Sequence, residues 1–462
     1  MAGWFEVSKD GLAKIVARRG HSFIVHELLQ NAWDENVKQV SVETCYERGL
    51  DISVTDDSPD GFKDLTHAYT LFAESAKKAD PTKRGRFNLG EKLVLALCRE
   101  ASVTSTKGTI RFDKDGSRHR SNEYQARGTT FRARIKMTKA EFEVMTDDIR
   151  PLIPPIGIET RINGSLIERP ETVTAFEVTL PTEVADAEGN LRGAQRKTVV
   201  EVFEAGRWTP RLLEMGIPVM EIEGRWHINV GQKIPLTLDR QSVRPSFLRE
   251  LNVAVLNACS NLLQDKDVTL GWVTEASGHI KAEAQAVQRV VAMRYGDNAV
   301  ACDPSDREAE KVAFSHGRTV IPSRGLTAEQ WENVRRNEVV KPAGQVFPTH
   351  PKTFVGSQPA TMTPWLERAA TYAKEFARFA LGREIGVRFF ESRATVAAQY
   401  DRSCGELSYN LTRFPMPCGE LEFDALLLHE LAHDKVPDHL SHEYHEEICR
   451  LGAKLKEWGC KF

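Results

Sequence analysis

The sequence predicts an α+β multidomain protein, and three observations carry that expectation. At 462 residues the chain is longer than one hydrophobic core can serve. Helical and strand periodicities interleave along it rather than segregating. Near residues 341–364, five prolines and two glycines interrupt the apolar pattern, as a linker does. The composition is that of a globular protein, 41% hydrophobic and 27% charged, with a mean hydropathy of -0.39. A net charge of -3 gives no overall basic field for nucleic acid or an anionic membrane and leaves only a local basic groove open. No apolar run is long enough to span a bilayer, and the start MAGWFEVSKDG has no hydrophobic signal core. Eight cysteines stand singly with no CxxC pair, the pattern of reduced thiols in a cytoplasmic protein.

Residues 1–145 form the first expected domain. SFIVHELLQNAWDENV reads as a helix with Ser22 as its N-cap, because Ile24, Leu28 and Leu29 are spaced to bury one face. VKQVSVETCYE and LDISVTDD alternate as strands, LGEKLVLALC reads as a helix, and GTTFRARIKM closes the domain as a strand. Residues 150–268 form a second α/β domain, with a hairpin signal at Asn163-Gly164 and a closing helix in SFLRELNVAVLNACSNLLQ. Residues 270–340 read as a small α/β module. After the linker at 341–364, Thr363 and Pro364 suit the N-cap and first turn of the helix that opens the last domain, 365–462.

Chemistry concentrates in two places. Glu27, Asn31 and Asp34 fall at i, i+4 and i+7, so a packed helix carries two carboxylates and an amide in one row. A turn-rich loop, DDSPDG, follows a strand and offers Asp56 and Gly61 to a ligand edge. GRFNLGEK then places Gly85 and Gly90 around a loop that opens a helix, with Asn88 and Lys92 inside it and Lys77, Lys78, Lys83, Arg84 and Arg86 just before or within it. Free N–H groups and the positive end of the dipole make such a helix start suited to phosphate. Gly128-Thr129-Thr130 begins the last strand.

In this order the elements resemble the four boxes of the GHKL ATPase superfamily (gyrase, heat-shock chaperone, histidine kinase, MutL) and its Bergerat α/β sandwich, across residues 20–135. The resemblance implies ATP and Mg²⁺ as cofactors. It makes Glu27 the general base for water, Asn31 the magnesium ligand, and Asp34 a support of the nucleotide or metal shell. Asp56 accepts from the adenine amino group, Gly61 shapes the adenine loop, Gly85, Asn88, Gly90 and Lys92 belong to the lid and phosphate loop, and Thr129 or Thr130 lies near adenine. Two positions depart from the pattern: Ser58 stands where the adenine loop has a glycine, and Asn88 where the lid does. Residues 150–268 are similar to the transducer domain of the gyrase, chaperone and MutL branches. There a basic residue reaches the γ-phosphate, which makes Arg240 in QKIPLTLDRQSV the candidate catalytic arginine and Lys233 its alternate. Relatives of this kind dimerise through the ATPase domain, so a homodimer is expected.

The second place is LLLHELAHDKVPDH. In HExxH, His429 and His433 stand one helical turn apart and can share a Zn²⁺ ion, with Glu430 beside them as general base. A third ligand comes from beyond the turn, among His439, His442 and His445. ATVAAQYDRSCGELSYNLTRF before it reads as a hairpin or meander. His439 follows the Pro437-Asp438 turn, and H-L-S-x-x-Y resembles a pattern of the small SprT-like and YgjP-like zincin metallopeptidases. That resemblance puts His439 first and His445 second, and gives Tyr444 a place under the site or beside a tetrahedral intermediate. The joint expectation is an ATPase whose nucleotide state regulates a zinc peptidase acting on a protein or peptide. The alternative is a nucleotide-driven switch, acting on DNA or protein partners, with a structural zinc domain. So unusual a pairing suits a phage or phage-defence setting, which no residue specifies.

Overall fold

The computed structural model describes residues 9–16, 20–62, 64–70, 80, 82–84, 90–186, 191–236, 242–304, 306–347, 358–392, 396–437, 439 and 441–459. The architecture is mixed α+β and divides into two compact units, residues 1–258 and 259–462.

The first unit opens with helix α1 (Lys9–Val16) and helix α2 (Ser22–Trp33). His21, not Ser22, takes the N-cap position of α2 and makes no side-chain cap bond; it is already in the helical region of the backbone, so Ser22 lies inside the helix. Ile24, Val25, Leu28, Leu29, Ala32 and Trp33 are buried. These positions form one continuous stripe, which leaves Glu27 and Asn31 on its half-buried flank. Strands β1 (Gln39–Tyr46) and β2 (Leu50–Asp56) follow, then helix α3 (Gly90–Leu97). Strands β3 (Cys98–Ser105), β4 (Gly108–Phe112), β5 (Arg118–Ser121) and β6 (Thr129–Ile135) precede helix α4 (Lys139–Asp148), whose Thr138 and Glu141 form a capping box. Strands β7 (Glu159–Ile162) and β8 (Ser165–Leu166) are joined at Asn163 and Gly164, both with positive φ as a tight hairpin turn requires.

Among the described residues these eight strands make one sheet, ordered β5-β4-β3-β6-β2-β1-β7-β8. The sheet thus takes its last two strands from beyond residue 145, because β7 runs parallel to β1. Leu50, Ile52 and Val54 of β2 and Phe131, Ala133 and Ile135 of β6 share a core with the buried stripe of α2. Strand alternation then fixes the rest. Asp56 and Thr129, direct partners in the β2–β6 ladder, continue the helix-facing side, whereas Thr55 and Thr130 continue the outward side.

A second sheet follows, built from β9 (Thr172–Ala185), β10 (Leu191–Glu204), β11 (Arg211–Glu214), β12 (Ile217–Glu221) and β13 (Trp226–Val230), ordered β12-β11-β13-β10-β9. Helix α5 (Pro245–Cys259) closes the unit. The β11–β12 turn meets the first sheet's side of the unit: Ile153 donates its N–H to the Gly216 carbonyl at 3.0 Å. A Cβ on Gly216 would lie 2.0 Å from the Ile153 carbonyl oxygen.

The second unit begins with helices α6 (Gly271–Gly278) and α7 (Ala284–Tyr295), strand β14 (Val300–Ala301), helix α8 (Arg307–Ser315), strand β15 (Val320–Ile321) and helices α9 (Ala328–Arg336) and α10 (Ala343–Val346). β14 and β15 pair in parallel, and small cores around Val291 and Ala309 hold the module. The expected linker contributes α10 and strand β16 (Gln358–Pro359); residues between them lie outside the described set. Helix α11 (Pro364–Leu381) starts with a Thr363 side-chain cap to the Leu366 N–H and stops at Gly382 in the left-handed region. Strands β17 (Gly386–Glu391), β18 (Ala398–Asp401) and β19 (Glu406–Asn410) form a sheet ordered β16-β17-β19-β18, so β18 is an edge. Helices α12 (Glu420–Ala432) and α13 (His442–Trp458) complete it. Phe423 of α12 stacks on Tyr409 of β19 with ring centroids 5.4 Å apart, which packs the histidine-bearing helix against the sheet.

One glycine shows how closely the first sheet is built. Gly128 has φ +81°, and a Cβ there would stand 1.9 Å from the Asp56 carbonyl oxygen. Since that neighbour is backbone and cannot swing aside, Gly128→Ala is expected to cost about 2 kcal/mol or more. Urea denaturation of the variant reads this as a lowered midpoint.

Candidate functional site

In the first unit, Glu27 is half-buried on α2, and the Gln30 side-chain amide donates to its carboxylate. The start of α3 lies directly against it: a Cβ on Gly90 would be 1.6 Å from Glu27 Oε2. The absent side chain at residue 90 thus makes room for the carboxylate beside the positive end of α3. Asn31, one turn on, is also half-buried. Lys92 is 5% exposed on α3, and Gly85, Asn88, Lys77, Lys78 and Arg86 lie outside the described residues.

Asp34 differs from its neighbours in the row. Its side chain is fully enclosed, and Arg84 Nη1 donates to Asp34 Oδ1 at 2.9 Å. Arg84 itself is 7% exposed, sits 5.2 Å over the Trp33 ring, and donates through Nε to the Met215 carbonyl at 3.1 Å. Lys83 Nζ donates to the Asp34 carbonyl at 2.6 Å, where a cation complements the end of α2. Asp34 therefore fastens the chain before the glycine-rich loop to α2 and to the second sheet. Lys233 is fully buried and its Nζ donates to the Asp80 carbonyl at 2.9 Å, reaching the same stretch from the second sheet. Arg240 lies outside the described residues.

The two acids of the DDSPDG loop have separate fates. Asp57 Oδ1 accepts the N–H groups of Lys38 at 2.8 Å and Gln39 at 3.0 Å, and its Oδ2 pairs with Arg127 at 3.1 Å. That set holds the Asp57 carboxyl below the usual range and uses it up structurally. Asp56 accepts the Ser58 N–H at 2.9 Å and a backbone hydrogen bond from Thr129, yet burial outweighs both and pushes its carboxyl up to about 6. Ser58, where a glycine was expected, is 4% exposed, and its carbonyl receives the Gly128 N–H at 2.8 Å. Gly61, with φ +58°, packs against the Gly128 carbonyl. Thr129 shares the face of Asp56, while Thr130 lies on the outward face with its hydroxyl 3.1 Å from that of Thr55. That outward face also carries a depression of about 630 Å³, lined by Asp51, Ser53, Ser102, Arg132 and Arg134 among others, on the side of the sheet away from Glu27.

In the second unit, His429, His433 and His439 converge, with ligand-capable nitrogens all within 4.8 Å of one another. His439 Nε2 lies 3.0 Å from His429 Nε2 and 2.8 Å from His433 Nε2. His433 donates its Nδ1 proton to the Val436 carbonyl at 3.0 Å, so its Nε2 presents a lone pair to the cluster. Burial lowers the pKa of His429, with the nearby His433 adding to the effect. Three imidazoles at this spacing are a donor set suited to Zn²⁺. His442 and His445 are exposed, and His442 pairs with Glu446 at 3.1 Å. Tyr444 is 2% exposed and donates its hydroxyl to the His429 carbonyl at 3.1 Å, which gives it the role of a support beneath the histidines.

Glu430 is 6% exposed, and burial raises its carboxyl to about 7. Its Oε1 lies 4.0 Å from His429 Nε2, and its Oε2 accepts the Tyr400 N–H at 3.1 Å. Tyr400, Asp434 and Arg383 had no signal in the sequence beyond the fact that Asp434 follows HExxH. Tyr400 Oη donates to Asp434 Oδ1 at 2.9 Å, and Arg383 donates to both.

No protein-family model and no curated protein matches this chain. Among solved structures it is similar to the ATPase region of Saccharomyces cerevisiae topoisomerase II, at 12% identity over 50% of this chain and 77% of that one, with a TM-score of 0.34. It is also similar to the N-terminal domain of a DNA repair protein, at 14% identity over 52% of this chain and 93% of that one, with a TM-score of 0.33. No described helix is long and apolar enough to cross a membrane.

Asp56 sets a pH dependence whose sign follows from its burial. Its folded pKa, about 6, exceeds the ordinary 3.8, so the folded state keeps a proton that the unfolded state releases. This carboxyl therefore withdraws stability as pH rises from 3.8 to about 6 and has no further effect above that window. Asp56→Asn is expected to gain stability relative to the parent across this window, read from urea midpoints at matched pH values.

Proposed function

We propose that the first unit binds ATP with Mg²⁺ in the manner of GHKL ATPases and that the second hydrolyses peptide bonds with Zn²⁺. The observation that carries the second half is the convergence of His429, His433 and His439 beside the buried Glu430. His429, His433 and His439 would hold a zinc ion, which would supply Lewis acidity to the scissile carbonyl and to the attacking water. Glu430 takes the proton from that water at Oε1, the oxygen on the His429 side, and passes it to the leaving amine. Tyr444 and the Val436 carbonyl keep the imidazoles oriented.

In the first unit, Glu27 and Asn31 share one flank of α2, Asp56 and Thr129 share the helix-facing side of the sheet, and the start of α3 lies against Glu27. On this reading Glu27 orients the attacking water, Asn31 holds magnesium and Asp56 takes the adenine amino group. Magnesium supplies charge neutralisation between the phosphates. Lys233 donates to the Asp80 carbonyl and Arg84 to the Met215 carbonyl, so Asp80 and Arg84 are tied to the side of the second sheet. Nucleotide state then regulates the peptidase, and a homodimer through the ATPase domain is the assembly proposed. The same ties favour a second reading, a nucleotide-driven switch acting on DNA or protein partners with the zinc domain structural.

The purified full chain is expected to hold one zinc by metal analysis and to bind ATP with micromolar affinity by calorimetry. Glu430→Gln should keep the zinc and lose cleavage of a quenched-fluorescence peptide by about 100-fold or more. Glu27→Ala should remove any effect of ATP on that cleavage. Zinc without cleavage in the parent would leave the switch as the better reading, and absence of zinc would overturn the metal half.

A further inference from the structure

Tyr400 of the edge strand β18 bonds both to Glu430 in the histidine-bearing helix and to Asp434 just past that helix's end. In the β18–β19 ladder the Asn410 N–H donates to the Ala397 carbonyl at 2.8 Å. Residues 397, 399 and 401 therefore turn their backbone groups towards β19, while Ala398 and Tyr400 turn theirs to the free edge. An edge amide ordinarily faces water. That of Tyr400 instead donates to Glu430 Oε2 at 3.1 Å. Two residues past the end of α12, in the turn that follows it, Asp434 accepts the Tyr400 hydroxyl at 2.9 Å.

The second attachment is itself braced. Arg383, in the segment between α11 and β17, donates to the Tyr400 hydroxyl oxygen and to Asp434 Oδ1, with its guanidinium carbon 5.7 Å from the Tyr400 ring centroid. The donors and acceptors form a consistent set: Arg383 gives to the tyrosine oxygen, and the tyrosine proton goes to Asp434. A phenol anchored in this way cannot swing, and the backbone amide of the same residue is carried with it.

We infer that Tyr400 is the positioning residue for Glu430, its hydroxyl locked by Asp434 and Arg383 so that its backbone N–H holds one Glu430 oxygen and leaves the other facing the histidines. This rests on the role proposed above for Glu430 as general base. A carboxylate held at Oε2 has one rotamer and one free oxygen, which is what a base beside a metal requires. Leu407, the β19 partner of Tyr400, is fully buried, so the strand beneath the clamp is anchored independently.

The test uses the full-length protein and two readouts. Tyr400→Phe keeps the ring, the backbone N–H and the packing but removes the hydroxyl; Asp434→Asn weakens the acceptor. Hydrogen exchange of the amide at position 400 needs neither zinc nor activity. It should speed up about tenfold in each variant, the scale of one lost hydrogen bond, while amides of β19 hold their protection. With the quenched-fluorescence peptide, kcat should fall about tenfold with KM and zinc content unchanged, and the double variant should fall no further than either single one. Unchanged exchange at position 400, or unchanged kcat in an active parent, overturns the inference. If the parent neither holds zinc nor cleaves the peptide, the general-base reading fails, and the exchange result alone decides whether the clamp exists.

Discussion

Three imidazoles that converge on one point, with His439 Nε2 2.8 Å from His433 Nε2 and 3.0 Å from His429 Nε2, are the constraint around which the second unit is organised. Neutral rings at that distance face each other with lone pairs, and protonated rings would add like charge. A cation at the centre resolves both, because tetrahedral zinc with bonds of about 2.0–2.1 Å spaces its nitrogens about 3.3 Å apart. The surrounding contacts all act in that direction. Val436 fixes the tautomer of His433, Tyr444 bonds the backbone of His429, and burial lowers the pKa of His429. Phe423, Leu427 and Leu431 of the same helix are fully buried, so the hydrophobic core sets the face on which the histidines stand.

The first unit uses charge differently. Its most buried ion pair, Asp34 with Arg84, is structural and joins α2, the segment before the glycine-rich loop and the turn at Met215. Removing one partner from such a pair leaves an uncompensated buried charge, so the link is stiff. Among the described residues no cation pairs with Asp56, and it keeps a raised pKa at the end of its strand. Of two adjacent aspartates, Asp57 is held low by Lys38, Gln39 and Arg127, whereas burial dominates at Asp56.

Local periodicity made much of this legible. The buried stripe of α2 follows from Ile24, Leu28 and Leu29, the turn at Asn163-Gly164 from residue type, and the pairing of His429 with His433 from a spacing of four. What was not legible came from register and distance along the chain. Strand parity separates Thr129 from Thr130, and no local pattern shows which side of a half-buried strand faces the helices. Asp34 looked like a member of the Glu27 row because the spacing is helical; its partner is 50 residues away. Ser22 read as a cap because serine favours that position, yet the backbone had entered the helix at His21. Tyr400 is 30 residues from Glu430 and reaches it only through the sheet edge.

The most direct test of the three-histidine centre is X-ray absorption at the zinc edge on the metal-loaded full chain, compared with His439→Ala and His445→Ala. The account predicts an imidazole shell of three nitrogens at about 2.0 Å that loses one member in His439→Ala and is unchanged in His445→Ala. A shell of two histidines in the parent, or one that responds to His445 and not to His439, would contradict it.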